Sequence, residues 1–108
     1  MIVEMREYTL HVGKVPEYLQ RYEREGLALQ REILGRLVGY YSTEVGTSIN
    51  QVVHMWAYDS LADREERRGR LAAHPGWRSY VDKIRPLIVH QQNRILKPAP
   101  FFEAELRS

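Results

Sequence analysis

Three large, polar-tipped rings recur at every second position of one β-rich run: His54, Trp56 and Tyr58 within Gln51 to Tyr58. A strand sends alternate side chains to opposite faces, so these rings share one face while Val53, Met55 and Ala57 share the other. The imidazole has the widest chemical range of the three, since it can act as acid, base or ligand near neutral pH. A second group alternates on one face of Ile2 to Leu10, where Glu4, Arg6 and Tyr8 bring charge onto an inward-facing strand. A buried charged pair is costly unless fully hydrogen-bonded, so its presence there favours a functional pocket. Against this stands a plainer reading. A histidine on such a face can be a core residue with one hydrogen-bond partner, and rings at strand spacing can be core or interface. The candidate lining is His54, Arg6, Tyr8, Tyr41, Trp56 and Tyr58.

Other residues carry weaker signals. Tyr41 and Glu44 fall on opposite faces of one strand, so at most one joins an internal lining, and Glu44 is placed to serve a rim. Arg64 opens a charged helical run and can either reach an acidic ligand group or pair at the surface with Glu44 or Asp59. Arg67, Arg68 and Arg70, interleaved with Glu65 and Glu66, read as a solvated face. The histidines at 11, 54, 74 and 90 show no ligand spacing, so no metal is expected. The seven glycines stand singly, leaving no phosphate-binding loop, and no nucleophile elbow appears. No cofactor is expected.

These residues need a scaffold, and its elements can be read in order. Ile2 to Leu10 is a strand; Pro16 starts a helix whose apolar residues run from Val15 through Tyr18, Tyr22 and Leu29 to Ile33, with Gly26 as a weak point or close crossing. Arg36 to Glu44 and Gln51 to Tyr58 form a hairpin around Gly46 to Asn50. Ser60 and Asp63 resemble a capping box opening a second helix, broken at His74-Pro75-Gly76 and resumed through Trp77, Tyr80 and Ile84. Ile88 to Leu96 is a final strand, and Lys97 begins an extended tail through Phe101 and Phe102.

The order strand, helix, strand, strand, helix, strand is that of an α+β, ferredoxin-like βαββαβ fold, with an antiparallel four-stranded sheet and both helices on one face. The bare face is expected to carry the rings of the third strand, with Leu37, Gly39 and Tyr41 or their alternates from the second. That is too much apolar area to leave wet, so a homodimer paired through its sheets is expected.

With 108 residues, 44% hydrophobic and 28% charged, the chain fits one globular domain. A net charge of +2 gives no dense basic surface, which makes nucleic acid a poor partner. Lack of cysteine excludes disulfides and thiolate chemistry. Glu4, Arg6 and Glu7 interrupt any signal-peptide core, and no run is long enough to span a membrane, so a cytoplasmic protein is expected.

Several stretches in their order resemble the NIPSNAP family: Glu4-x-Arg6-x-Tyr8-x-Leu10 with Gly13, Gly39-Tyr40-Tyr41-Ser42-Thr43-Glu44-x-Gly46, Asn50-x-x-x-His54-x-Trp56-x-Tyr58, Leu61 through Arg70, Pro75-x-Trp77-x-x-Tyr80, and Gln91-x-Asn93 with Ile95-Leu96-x-Pro98. The resemblance implies a dimeric α+β barrel, a scaffold shared with antibiotic-biosynthesis monooxygenases, and no agreed reaction. It leads to a homodimer that binds a small, partly apolar molecule between sheet and helices. By superfamily analogy, catalysis would be cofactor-independent oxygenation or isomerisation, with His54 taking a proton, Arg6 steadying the enolate-type charge, and Tyr8, Tyr41, Trp56, Tyr58 and Arg64 as ligand contacts. The alternative is a non-catalytic interaction or scaffold module.

Overall fold

The computed structural model describes residues 1–108. Four strands, β1 (Ile2–Leu10), β2 (Arg36–Ser42), β3 (Gln51–Tyr58) and β4 (Ile88–Leu96), form one antiparallel sheet in the order β2-β3-β1-β4. Between them run α1 (Val15–Glu25), α2 (Leu27–Leu34), α3 (Leu61–Ala73) and α4 (Pro75–Ile84), and α5 (Pro100–Arg107) closes the chain. The ferredoxin-like arrangement is present with each crossover helix split in two. No helix is long and apolar enough to cross a membrane.

Each split has a local cause. A Cβ at Gly26 would lie 3.0 Å from the Tyr22 ring and 3.1 Å from the Tyr80 ring, so only glycine admits the close crossing between α1 and α4. Gly35 ends α2 at φ 90°, a left-handed conformation open to a residue without Cβ. Pro75 cannot extend α3, and extended His74 starts α4, its Nδ1 accepting from the Gly76 amide at 3.0 Å. Ser60 Oγ caps α3 by accepting from the Asp63 amide at 3.0 Å, and Asp63 reaches back to the Asp59 amide at 3.1 Å.

The register assigns the faces. Glu4 pairs with Trp56, Arg6 with His54, and Tyr8 with Val52, so the inward face of β1 meets the ring face of β3. The sequence-based expectation that these rings occupy the bare face is overturned: His54, Trp56 and Tyr58 lie under the helices, each at most 2% exposed. The helices meet them with an aromatic and aliphatic layer of their own. Tyr18, Tyr22, Tyr80 and Ile84 pack with Tyr8 and Val52, while Leu34 and Leu71 pack with Trp56 and Tyr58. The opposite face carries Met5, Glu7, Val53, Met55 and Tyr41, half-buried or exposed.

The tail differs too. Residues 100–107 are helical rather than extended, with Pro100 fitting the first turn. The Met1 amine bonds Glu103 at 3.3 Å and the Arg36 guanidinium donates to the Leu106 carbonyl, which holds α5 at the end of the sheet where Val3 and Ala57 are buried.

The Gly26 crossing is testable against an open glycine. Gly26→Ala should lower stability by about 1–3 kcal/mol by forcing apart two packed rings. Gly69→Ala, on α3 with nothing within 4 Å, should be neutral or stabilising by up to about 1 kcal/mol. Urea midpoints of both variants measure the contrast.

Candidate functional site

The helix-covered sheet face encloses a cavity of about 400 Å³ between β1, β2 and β3 below and α1 and α4 above. Its wall combines Tyr8, Tyr18, Tyr22, Tyr40 and Tyr80 with His54, Arg6 and Arg68, closed by Trp77, Val81 and Ile84. Arg85 and Gln91, both exposed, stand where it opens.

His54 is fixed from three sides. Its Nδ1 accepts the Trp56 indole N–H at 2.8 Å, Tyr40 stacks on it at 4.6 Å and 12°, and Tyr8 meets it edge-on at 5.1 Å. An indole nitrogen can only donate, so the neutral imidazole must carry its proton on Nε2. That Nε2–H is buried and has no partner. Burial, reinforced by the charges of Arg6 and Arg68 and opposed by Glu4, lowers the imidazole pKa to about 3, so the ring is neutral at physiological pH. Burial also pushes the phenols of Tyr18, Tyr22, Tyr40 and Tyr80 up. Tyr18 and Tyr40 hydroxyls bond each other at 2.8 Å and Tyr22 donates to Gln30 at 2.6 Å, while the buried Tyr80 hydroxyl has no partner.

Beside the cavity lies Glu4, 0% exposed. Its Oε2 accepts from Arg6 and Arg64, each at 2.9 Å, and from Asn93 at 2.7 Å. Burial alone would raise this carboxyl; the hydrogen bonds from Arg64 and Asn93 and the charges of Arg6 and Arg68 hold it down at about 2. Arg6 also donates through Nε to the Tyr8 hydroxyl at 3.0 Å.

The structure therefore brings Arg6, Tyr8 and His54 to one cavity, with Trp56 behind the imidazole. Tyr58 lies on the same face but outside the wall, in the neighbouring cluster with Leu34 and Leu71. Arg64 pairs with Glu4 and Glu65, not with Glu44 or Asp59, because α3 lays it over the first strand. Tyr41 faces the other way and is 55% exposed; Tyr40 takes its place. The cause is a bulge in β2: Leu37 pairs with Trp56 but Tyr40 with His54, so the alternation shifts by one residue between them. Arg68 was missed as part of a solvated charge run. Its signal is the stripe Arg64, Arg68, Leu71, at i, i+4, i+7, which places it toward the core side of α3.

A ferredoxin-like sheet with an aromatic, arginine-bearing cavity beneath its helices defines the class of domain. The chain belongs to the NIPSNAP family, whose model matches residues 3–103. It is 35% identical over 103 residues to human Protein NipSnap homolog 3A, covering 94% of this chain but 41% of that protein, so it spans about two fifths of this relative's length. A NIPSNAP-family crystal structure of unknown function from Agrobacterium tumefaciens is 50% identical with a TM-score of 0.90, covering 94% of this chain and 90% of that one. An antibiotic biosynthesis monooxygenase structure, 10% identical, superposes with a TM-score of 0.63 over 93% of this chain and 100% of its own. At that identity the likeness carries the fold alone.

The pKa values set two pH windows. A folded value below the unfolded one means that the contribution of His54 is complete above pH 6.5 and is lost as pH falls toward about 3; that of Glu4 is complete above 4.5 and is lost toward about 2. Denaturant unfolding between pH 6 and 4.5 should show His54 contributing a slope approaching about 1.4 kcal/mol per pH unit, which His54→Asn removes. Glu4→Gln should cost about 3 kcal/mol by leaving the half-buried guanidiniums of Arg6 and Arg64 without their carboxylate. Glu7→Gln, on the open face, should cost far less in the same assay.

Proposed function

We propose that the domain binds a small, partly apolar molecule in the cavity between sheet and helices. The observation that carries this is the Nε2–H of His54: a buried donor on a residue of the cavity wall, held in one orientation by Trp56 and Tyr40 and left without an acceptor. Buried polar groups are nearly always satisfied, so an orphaned donor beside a cavity implies that something else supplies the acceptor.

His54 serves in this reading as a hydrogen-bond donor rather than as the base of an acid-base pair, since one nitrogen is taken by the indole and the other already holds a proton. Burial keeps Tyr18, Tyr22, Tyr40 and Tyr80 neutral, and the wall has no carboxylate. Isomerase-like or oxygenase-like catalysis would therefore rest on stabilising charge at a ligand oxygen through His54, Tyr80 and Arg6. Proton removal would fall to the ligand or solvent.

We also infer a homodimer through the open sheet face, supported by Met5, Val53, Met55 and exposed Tyr41 on one surface. Light scattering at micromolar concentration should give a dimer mass that Val53→Asp halves; a monomer mass for the unaltered chain rejects it.

The binding reading is tested by gentle purification, solvent extraction and mass spectrometry, with Val81→Trp as the cavity-filled control. A molecule retained by the unaltered protein and missing from the control supports it. Absence of any retained molecule, with no compound in a metabolite library raising the melting temperature above that of the control, overturns it.

A further inference from the structure

The chemistry of the cavity wall narrows what it can hold. Of its fifteen lining residues three are arginines, Arg6, Arg68 and Arg85, and none is an aspartate or glutamate. Arg85 is matched by Asp82 at 3.3 Å on the outside. Arg6, Arg64 and Arg68 surround Glu4, and Arg64 shares its charge with exposed Glu65. Three guanidiniums against two carboxylates leave one positive charge over. It falls on Arg68, whose closest carboxylate oxygen, Glu4 Oε1, is 4.0 Å away, beyond hydrogen-bond reach. Arg68 Nη1 is buried and unpartnered.

The unmet groups of the wall share a polarity. His54 Nε2–H and Arg68 Nη1 are both donors without a hydrogen-bond acceptor, Nη1 lying 4.0 Å from Glu4 Oε1, and the Tyr80 hydroxyl can donate as well. Glu4 Oε1 also lacks a partner, but Glu4 does not line the cavity. The rest of the wall is flat or aliphatic: the Tyr40 and Tyr22 rings stack at 4.5 Å, and Val81 and Ile84 close the far side. Aromatic and aliphatic groups of this kind favour a partly apolar body. Arg85 at the opening would draw an anion toward the mouth.

On the reading that the cavity holds a ligand at all, we propose that this ligand is a monoanion: a partly apolar organic acid whose oxygen accepts from Arg68 and from the Nε2–H of His54. The surplus of one charge sets the valence, and a charge-assisted hydrogen bond to Arg68 supplies the orientation. His54 and Tyr80 are specificity elements that separate an acid from its neutral analogue.

Two probes of nearly equal shape, 2-naphthoate and 2-naphthamide, test this on the ¹⁵N-labelled full chain by NMR, read at the Trp56 indole and His54 imidazole N–H signals. The acid should bind at least about tenfold more tightly than the amide. Arg68→Gln should reduce the acid to the affinity of the amide, and Arg68→Lys should restore part of the difference. Equal binding of acid and amide overturns the charge assignment and leaves the cavity reading standing. Failure of both probes to move either signal at millimolar concentration, in a spectrum that stays folded, overturns both. Acid binding that Arg68→Gln leaves unchanged in a folded variant overturns the role of Arg68. The comparison of acid with amide in the unaltered protein decides the charge question even where a variant does not fold.

Discussion

The burial of one ionised carboxylate organises this domain. Glu4 sits on an inner strand with no solvent exposure, and its Oε2 is reached from its own strand by Arg6, from the edge strand by Asn93 and from α3 by Arg64. Desolvating a carboxylate costs several kcal/mol, so the arrangement persists only while those partners stay in place. The consequence is geometric more than energetic. Strand β1, strand β4 and helix α3 cannot slide past one another without stranding a charge, which fixes the side of the cavity on which the arginines stand.

From that corner the remaining wall follows by packing. Tyr8 accepts from Arg6 and meets His54 edge-on; Tyr40 stacks on His54 and bonds Tyr18; Tyr22 stacks on Tyr40 and bonds Gln30. Each ring is held by a contact on its face or edge and most by a hydrogen bond at the tip, so the layer has few alternative arrangements. Rigidity of this kind suits recognition, because little conformational entropy is lost when a ligand enters.

Much of the scaffold was legible in the sequence. Strand alternation, Pro16, the Ser60 cap and the His74-Pro75-Gly76 break gave the order of elements, and that order gave the sheet. The companionship of Glu4, Arg6, His54 and Trp56 was legible as well, because neighbouring strands carry them at matching parity. Three things were not. Which sheet face the helices would cover depends on tertiary packing, and both faces of β3 offered apolar side chains. The parity of Tyr40 and Tyr41 depends on a bulge at Val38, whose one sequence cue is the neighbouring Gly39. Arg68 was hidden within a charge run whose neighbours Glu65, Glu66 and Arg70 do face water, so composition outweighed position.

The bulge also makes the two surfaces of β2 exchangeable. Moving the extra residue past Tyr40 and Tyr41 would turn the inward phenol outward and its exposed neighbour inward without altering any other strand, whereas deleting it would leave Tyr40 opposite His54. A one-residue migration of this bulge thus trades cavity-wall chemistry for surface chemistry, a short evolutionary route by which relatives sharing this scaffold can diverge in the lining of the same cavity.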